Sequence, residues 1–157
     1  MKKNTEILSD AQNRAMSIRP KVGGFPVLAE VLRQAGVQKN TWSLPSCQSV
    51  YLMKGGSVVQ QGSPLVTGTH EVPQFDRDAL IAALRIDQEG KSSFPEFLQS
   101  AWKAGVTGYE VDFFARKVTY YGILGESYLE EYPGFPGPFC RPDPVTQYAC
   151  VYQRGRR

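Results

Sequence analysis

Residues 109–124 read YEVDFFARKVTYYGIL, and this stretch decides the class of fold. Apolar and acidic side chains alternate over residues 109–113, a period of two that predicts a half-buried strand. Residues 115–117 predict a turn, residues 118–124 predict the returning strand, and a short third strand follows near 127–131. The stretch therefore predicts an antiparallel meander, with one face left for helices to cover.

Two helices are predicted before this meander. Residues 76–88 place Leu80, Ile81 and Leu84 on one helical face, with Asp76 as the N-cap and Gly90 as the stop. Residues 94–103 predict a second helix that Ser92 or Ser93 can cap, that has Pro95 in its first turn and that ends at Gly105. The apolar residues expected to be buried by this second helix are Phe94, Phe97, Leu98 and Ala101.

The same pattern recurs 69 residues earlier in the chain. Phe25-Pro26 returns as Phe94-Pro95, and the tripeptide Ala-Gly-Val at 35–37 returns at 104–106. Tyr51 likewise corresponds to Tyr120, and Gly56 to Gly125. The shift predicts helices at 6–18 and 25–35, followed by strands near 40–44, 49–53 and 57–60.

We therefore predict an α+β fold made of two pseudo-repeated halves, each with two helices followed by an antiparallel meander. The halves span residues 5–61 and 76–132, and a Gly- and Pro-containing linker, 62–75, joins them within one domain, 1–132. Five prolines between residues 133 and 144 predict that residues 133–157 form an extended or disordered tail.

The basic charge of the chain is concentrated at its ends. The 157 residues carry a formal net charge of +3. Lys2 and Lys3 contribute +2 and residues 133–157 contribute +3, which leaves residues 4–132 at −2. Nucleic-acid binding needs basic residues gathered on a folded face, so the net charge alone does not predict it.

Composition is ordinary for a globular protein, with 41% hydrophobic and 21% charged residues. No apolar stretch approaches the roughly 20 residues needed to span a bilayer, and no secretory leader is visible. The three cysteines, Cys47, Cys140 and Cys150, include no Cys-x-x-Cys pair, which favours free thiols and a cytoplasmic location. A disulfide between Cys140 and Cys150 stays open.

The second half resembles the YdfO-like family of small uncharacterised enterobacterial and prophage proteins, often labelled "phage envelope protein". The resemblance is carried by Gly90-Lys91, Phe94, residues 104–106, the aromatic-acidic strand and Tyr120-Tyr121. Phe25-Pro26, Gly36-Val37 and Tyr51 extend it to the first half, so that it covers residues 7–132. It implies an α+β fold with helices packed against antiparallel strands and a phage or prophage origin, and it implies no catalytic residues.

Acid–base chemistry has a few candidate residues. Glu110 and Asp112 project from one side of a strand, about 7 Å apart by the strand rise. His70 is a possible general base, and Cys47 a possible nucleophile without an electropositive neighbour. The alternatives are that the two carboxylates lie on a solvated strand face, that His70 is an ordinary loop residue and that Cys47 is an inert thiol in a turn. A single histidine excludes a zinc centre with several histidine ligands, and no phosphate-loop, dinucleotide or nucleophile-elbow motif occurs, so we expect no metal or cofactor.

Aromatic residues favour recognition over catalysis. Tyrosine is amphipathic and enriched where proteins bind partners, although core packing and β-propensity also account for it. We expect a non-enzymatic protein that binds another protein or a small molecule on a sheet face or in the cleft between the halves. The residues predicted to contact that partner are Trp42, Tyr51, Tyr109 and Tyr120. There are two alternatives. The protein is a small enzyme, or it binds nucleic acid through its basic ends, with the sheet tyrosines as stacking platforms. The sequence leaves the oligomeric state open.

Overall fold

The computed structural model describes residues 2–20 and 24–134. Its four helices are α1 (Asn4–Ile18), α2 (Gly24–Gln34), α3 (Arg77–Gln88) and α4 (Phe94–Lys103). Its six strands are β1 (Val37–Ser43), β2 (Gln48–Met53), β3 (Gly56–Gln61), β4 (Val106–Asp112), β5 (Lys117–Gly122) and β6 (Ser127–Glu131). The predicted α+β class is confirmed, and the order of two helices followed by three strands occurs twice along the chain.

Local sequence signals fix the ends of α3 and α4 as predicted. The Asp76 carboxylate accepts a hydrogen bond from the backbone N–H of Ala79, which caps α3. Ser93 and Glu96 form a capping box at the start of α4, where Pro95 lacks only an N–H that would be unpaired there. Gly105 follows α4 at φ +85°, and a Cβ there would lie 2.5 Å from backbone atoms before α3, so only glycine fits.

The six strands form one antiparallel sheet in the order β3-β2-β1-β4-β5-β6. The first and second sets of three strands meet at β1 and β4, where Trp42 pairs with Tyr109 and Thr41 pairs with Glu110. Neighbouring strands are otherwise joined through short turns. The order places the central boundary of the sheet between the two halves of the chain.

All four helices lie on one face of this sheet. Along β2, β5 and β6, buried and exposed side chains alternate, as expected for strands covered on one side. One cluster of buried side chains includes Leu8 of α1, Leu80 of α3, Met53 of β2 and Val111 of β4. Within the described residues, nothing covers the opposite face, which we call the open face.

Two strands begin earlier than the sequence predicts. β1 starts at residue 37 and β4 at residue 106, each three residues before the predicted start. In both strands the register shifts after the first residue, between 37 and 39 and between 106 and 108. A bulge of this kind breaks the period of two, so the alternation does not extend to the true start of the strand.

Two further predictions about burial and strand length were wrong. Phe94 was predicted to be buried by α4, but it is 44% exposed, because it lies at the first position of the helix, at its edge. The strand predicted at 118–124 ends at Gly122, and Ile123 and Leu124 are exposed in the following turn. Tyr120 is buried and Tyr121 exposed, which confirms that these adjacent tyrosines face opposite sides of the sheet.

The segment between β3 and α3 contains no helix or strand. Leu65, Val66 and Phe75 within it nevertheless pack against the core, and the Leu65 N–H donates to the Pro45 carbonyl. In residues 2–20 and 24–134, no helix combines the length and apolar composition needed to cross a bilayer. The predictions for the tail beyond residue 134, including Cys140 and Cys150, lie outside the described residues.

Candidate functional site

Four aromatic side chains form a row across the helix-covered face of the sheet. They come from directly paired positions on β1, β4, β5 and β6, so each ring is held beside the next by the strand spacing. Successive ring centroids are 5.9, 5.5 and 6.5 Å apart, and the first and last pairs are stacked at 10° and 25°. We call this row the aromatic ladder; its members are Trp42, Tyr109, Tyr120 and Tyr128.

Helix α4 packs on the ladder through two phenylalanines. The ring of Phe97 meets Tyr120 edge-on, and the ring of Phe94 meets Trp42 edge-on at 5.3 Å. Phe97 is buried, whereas Trp42 and Phe94 both keep exposed surface. The ladder is therefore closed over β5 and reaches solvent at the Trp42 end, where the two halves of the chain meet.

Tyr109 lies beside Trp42 and is the more buried of the two. Its side chain is only 9% exposed, and no other residue in the described part of the chain forms a hydrogen bond with its hydroxyl. Burial raises the pKa of this hydroxyl well above its ordinary value, and the nearby Tyr120, Tyr51 and Asp87 add to the effect. A hydroxyl without a partner among the described residues is available to a ligand.

Tyr51 lies one row along the sheet from the ladder. It pairs with Asn40 of β1 across the strand boundary and is buried. Burial raises the pKa of its hydroxyl, and hydrogen bonding to Ser49 and Gln12 partly offsets that rise. The charge of an ionised Tyr51 would add to the rise in the pKa of the Tyr109 hydroxyl. All four residues predicted to contact a partner therefore lie at adjacent positions on the helix-covered face of the sheet. Three of them, Tyr51, Tyr109 and Tyr120, are mostly buried.

Asp87, near the end of α3, is a half-buried carboxylate close to the start of α4. Ser92 donates a hydrogen bond to it at 3.3 Å, and burial raises the pKa of the carboxyl. Hydrogen bonding to Ser92 and the charge of Arg19, which follows α1, oppose that rise. No ion pair to Asp87 is formed by the residues that the structure describes. Trp42, Phe94 and Tyr109, which are joined by ring contacts, are together called the junction site.

The opposite end of the ladder is closed by a polar network. Glu130 on β6 is 7% exposed and accepts hydrogen bonds from both terminal nitrogens of Arg85, at 3.1 and 2.7 Å. Gln88 donates to it at 3.0 Å and the Tyr128 hydroxyl at 2.6 Å. Both carboxylate oxygens are therefore satisfied, as a buried charge requires, and this end of the ladder serves the fold.

The two carboxylates predicted as acid–base candidates lie on the open face. Glu110 forms an ion pair with Lys39 of the adjacent strand at 3.3 Å. Asp112 accepts hydrogen bonds from the backbone N–H groups of Phe114 and Ala115, which closes the turn after β4. Both therefore have structural roles, on the face opposite the junction site.

The other candidates for chemistry are also separated from the junction site or unsuited to catalysis. His70 is exposed in the segment before α3, with its Nε2 atom 2.6 Å from the Thr67 carbonyl oxygen. Cys47 is buried in the turn after β1, and burial raises the pKa of its thiol, which disfavours the reactive thiolate. Among residues 2–20 and 24–134, no group of three His, Cys, Asp or Glu side chains could hold a metal ion.

Sequence reasoning missed Asp87 and Glu130, although both carry a signal. Asp87 is three residues after Leu84 and seven after Leu80, so it falls on the apolar face of its helix. Glu130 alternates with Tyr128 and Tyr132, which places it on the buried face of its strand. Both residues share one signal: a charged side chain stands at a position where the helical or strand periodicity predicts a buried apolar one.

Four helices over one face of a six-stranded antiparallel sheet, with an aromatic ladder between the layers, define the protein as a two-layer α+β protein. The chain belongs to a family described as "Protein of unknown function (DUF1398)", which matches residues 13–132. The match covers every strand and leaves out the first helical turns and the tail.

Curated relatives come from mycobacteria. An uncharacterised protein of Mycobacterium tuberculosis strain H37Rv is 53% identical over 125 residues, which cover 80% of this chain and 76% of that protein. Uncharacterised proteins of Mycobacterium tuberculosis strain CDC 1551 and of Mycobacterium bovis are similar to the same extent. These names assign no activity, ligand or partner, so any function has to be argued from the site.

Proposed function

We propose that the protein is a non-enzymatic binding protein whose ligand lies against Trp42 at the junction site. One observation carries the proposal: the ladder ends at a partly exposed indole whose neighbour, Tyr109, is nine-tenths buried and has no hydrogen-bond partner among the described residues. A ligand that stacks on the indole and hydrogen-bonds the hydroxyl would bury more apolar surface and satisfy the polar group.

The open face gives less support to binding. Lys39 and Glu110 form an ion pair on it, and Asp112 closes a turn. The exposed apolar side chains form two small groups, one near each edge of the sheet: Val50, Leu52 and Val59, and Tyr121 and Leu129. Polar residues of β1 and β4 separate the two groups, and exposed apolar groups of this size are common on monomeric proteins.

The alternatives of an enzyme and of nucleic-acid binding also receive less support. Glu110 and Asp112 stabilise a strand pair and a turn, and neither forms a hydrogen bond or ion pair with His70. Tyr109, Tyr120 and Tyr128 lie beneath helices, so nucleobases could not stack on them from the open face.

We also infer that the two halves arose by duplication, which would explain a site at their junction. Left-handed backbone recurs at an interval of 69 residues: Gly36 and Gly105, Cys47 and Arg116, Gly56 and Gly125. The bulges at the starts of β1 and β4 have the same spacing. Two equivalent units brought together leave a seam between their helix pairs, and ligands are often bound at such seams.

Two further parts of the proposal rest on sequence. The buried free thiol of Cys47 is compatible with the cytoplasmic location proposed from the cysteine pattern. A phage or prophage origin stays a prediction of the YdfO-like resemblance. Neither bears on the chemistry of the junction site.

Native mass spectrometry of the full chain purified from cells tests the proposal. We expect a retained small mass that leaves on denaturation and is lost from Trp42→Leu, because leucine keeps the position apolar but removes the stacking surface. Tyr121→Ser, a change on the open face, is the matched control and should keep the mass. A mass retained by Trp42→Leu and lost from Tyr121→Ser would contradict the location of the site.

A further inference from the structure

The two edges of the sheet differ in how well they are protected against pairing with another strand. At one edge, β6 carries Glu130 on its covered side and Glu131 on its open side, and charged side chains on an edge strand discourage strand addition. At the other edge, β3 has the sequence GSVVQQ, with no charge and no proline. Its pairing with β2 contains no bulge. The strand β3 therefore lacks the features that usually prevent an edge from pairing.

The backbone of β3 presents hydrogen-bonding groups along this edge. The Gly62 N–H donates to the Cys47 carbonyl at 2.9 Å, and bonding residues alternate along an antiparallel pair, so the even-numbered residues of β3 bond to β2. The odd-numbered residues Ser57, Val59 and Gln61 direct their N–H and C=O groups away from the sheet. No strand of the described chain pairs with β3 on that side. The edge is therefore open to one more strand.

The side of α1 that overlies β3 is also uncharged. Gln12 and Gln60 join the helix to the strand through two reciprocal hydrogen bonds of 2.9 Å. By helical spacing, Thr5, Ser9 and Met16 share this side of α1, and all three are exposed. The charged residues of the helix lie on its other sides: Glu6, Asp10 and Arg14. The edge of β3 and the adjoining side of α1 thus form one surface without charge.

A second copy of the same strand fits this edge. We propose that β3 pairs antiparallel with β3 of a second copy, about a two-fold axis at Val59, so that two six-stranded sheets become one. In that register Ser57 lies opposite Gln61 of the second copy, and the outward-facing residues form ladder hydrogen bonds. Val59, which is 60% exposed, lies opposite its own counterpart and beside Val50 of β2. The valines of the two copies then form one apolar row across the axis on the open face.

The helix layer favours a second copy over any other extended segment. Asn4 lies beside Gly56 and Gln12 beside Gln60, so α1 runs along β3. The two-fold axis therefore sets the two α1 helices antiparallel, with their uncharged sides toward each other. Two short strands alone bury less than the roughly 1,200 Å² of a stable interface, and the helices supply further area. An unrelated peptide would pair with the strand but leave the side of α1 uncovered. This surface is separate from the junction site and does not depend on the proposed function.

Sedimentation velocity of the full chain tests the proposal. At about 50 µM the native chain should sediment with twice the 17.5 kDa mass of one chain. Val59→Lys places two like charges opposite each other at the axis, at an exposed position that leaves the fold intact, so it should sediment as a monomer. Leu129→Lys makes the same kind of change at an exposed, open-face position of the other edge strand. It is the matched control and should stay dimeric.

Amide hydrogen exchange distinguishes strand pairing from other contacts between copies. The N–H groups of Ser57 and Gln61 should exchange about tenfold faster or more in Val59→Lys than in the native chain. Those of Tyr51 and Val58, which bond to each other within one chain, should keep their rates and so report an intact fold. A native chain that is monomeric at about 50 µM would overturn the proposal. A dimer that survives Val59→Lys, or one that both substitutions abolish, would overturn it as well.

Discussion

Deleting one hydroxyl group from each of two tyrosines of the ladder should have very different effects on stability. The Tyr128 hydroxyl donates to the buried Glu130 carboxylate at 2.6 Å. A hydrogen bond to a charged group contributes about 1.5–3 kcal/mol, so Tyr128→Phe should lower the free energy of unfolding by about 2 kcal/mol. The Tyr109 hydroxyl has no hydrogen bond within the described chain, so Tyr109→Phe should change that free energy by less than about 0.5 kcal/mol.

Urea denaturation followed by far-ultraviolet circular dichroism at pH 7 measures both variants on one scale. For a chain of this size, a difference of about 2 kcal/mol corresponds to about 4–8 °C in Tm. The two variants remove the same atom from the same ladder, so each serves as the control for the other. A loss of 1 kcal/mol or more in Tyr109→Phe would show that its hydroxyl has a structural partner, and the argument for the junction site would fail.

Three further changes have predicted outcomes. Burial raises the pKa of Asp87, so its ionisation opposes folding as the pH rises through the folded-state value; Asp87→Asn should stabilise the protein by up to about 1 kcal/mol at pH 7, and the gain should vanish in melts below pH ~4. Arg85→Met should cost about 3 kcal/mol in urea denaturation, because it leaves the Glu130 carboxylate buried without its main partner. Gly105→Ala should lower Tm by about 5 °C or more in calorimetry, since the added Cβ meets backbone atoms.

The changes at Arg85 and Gly105 each have a matched control. The double variant Arg85→Met/Glu130→Leu should recover most of the stability lost in Arg85→Met, because it removes the unpaired charge. Gly68→Ala has a similar positive φ but no atom within 4 Å of the added Cβ, so it should cost less than Gly105→Ala. A single Arg85→Met variant as stable as the native chain, or equal losses at both glycines, would contradict the reasoning.

Much of the fold follows from local patterns in the sequence. The capping residues Asp76 and Ser93 and the apolar spacing of α3 and α4 act within one or two helical turns, so sequence reveals them. The starts of β1 and β4 were missed because a bulge shifts the alternation there. Such a shift depends on pairing with a neighbouring strand, and the residues of one strand do not specify it.

The candidate site was predicted only in part. Trp42, Tyr109 and Tyr120 are adjacent in the sheet, as their strand positions suggested, but sequence could not show that the helices cover their face. It also could not show that β1 pairs with β4, the long-range contact that joins Trp42 to Tyr109. The hydrogen bond between Asp87 and Ser92 depends on the loop that joins α3 to α4, and the periodicity of either helix does not specify that loop.

The central claim is that the Trp42 end of the ladder is a binding surface. In the full chain labelled with ¹⁵N-tryptophan, the indole N–H resonances of Trp42 and of the buried Trp102 are separate internal reporters, assigned with Trp102→Phe. Titration with 2-phenylethanol, which offers an aromatic ring and a hydroxyl group, should shift the Trp42 resonance saturably and leave that of Trp102 in place. A Trp42 resonance that stays unmoved by this probe, or that moves no more than Trp102, would contradict the account.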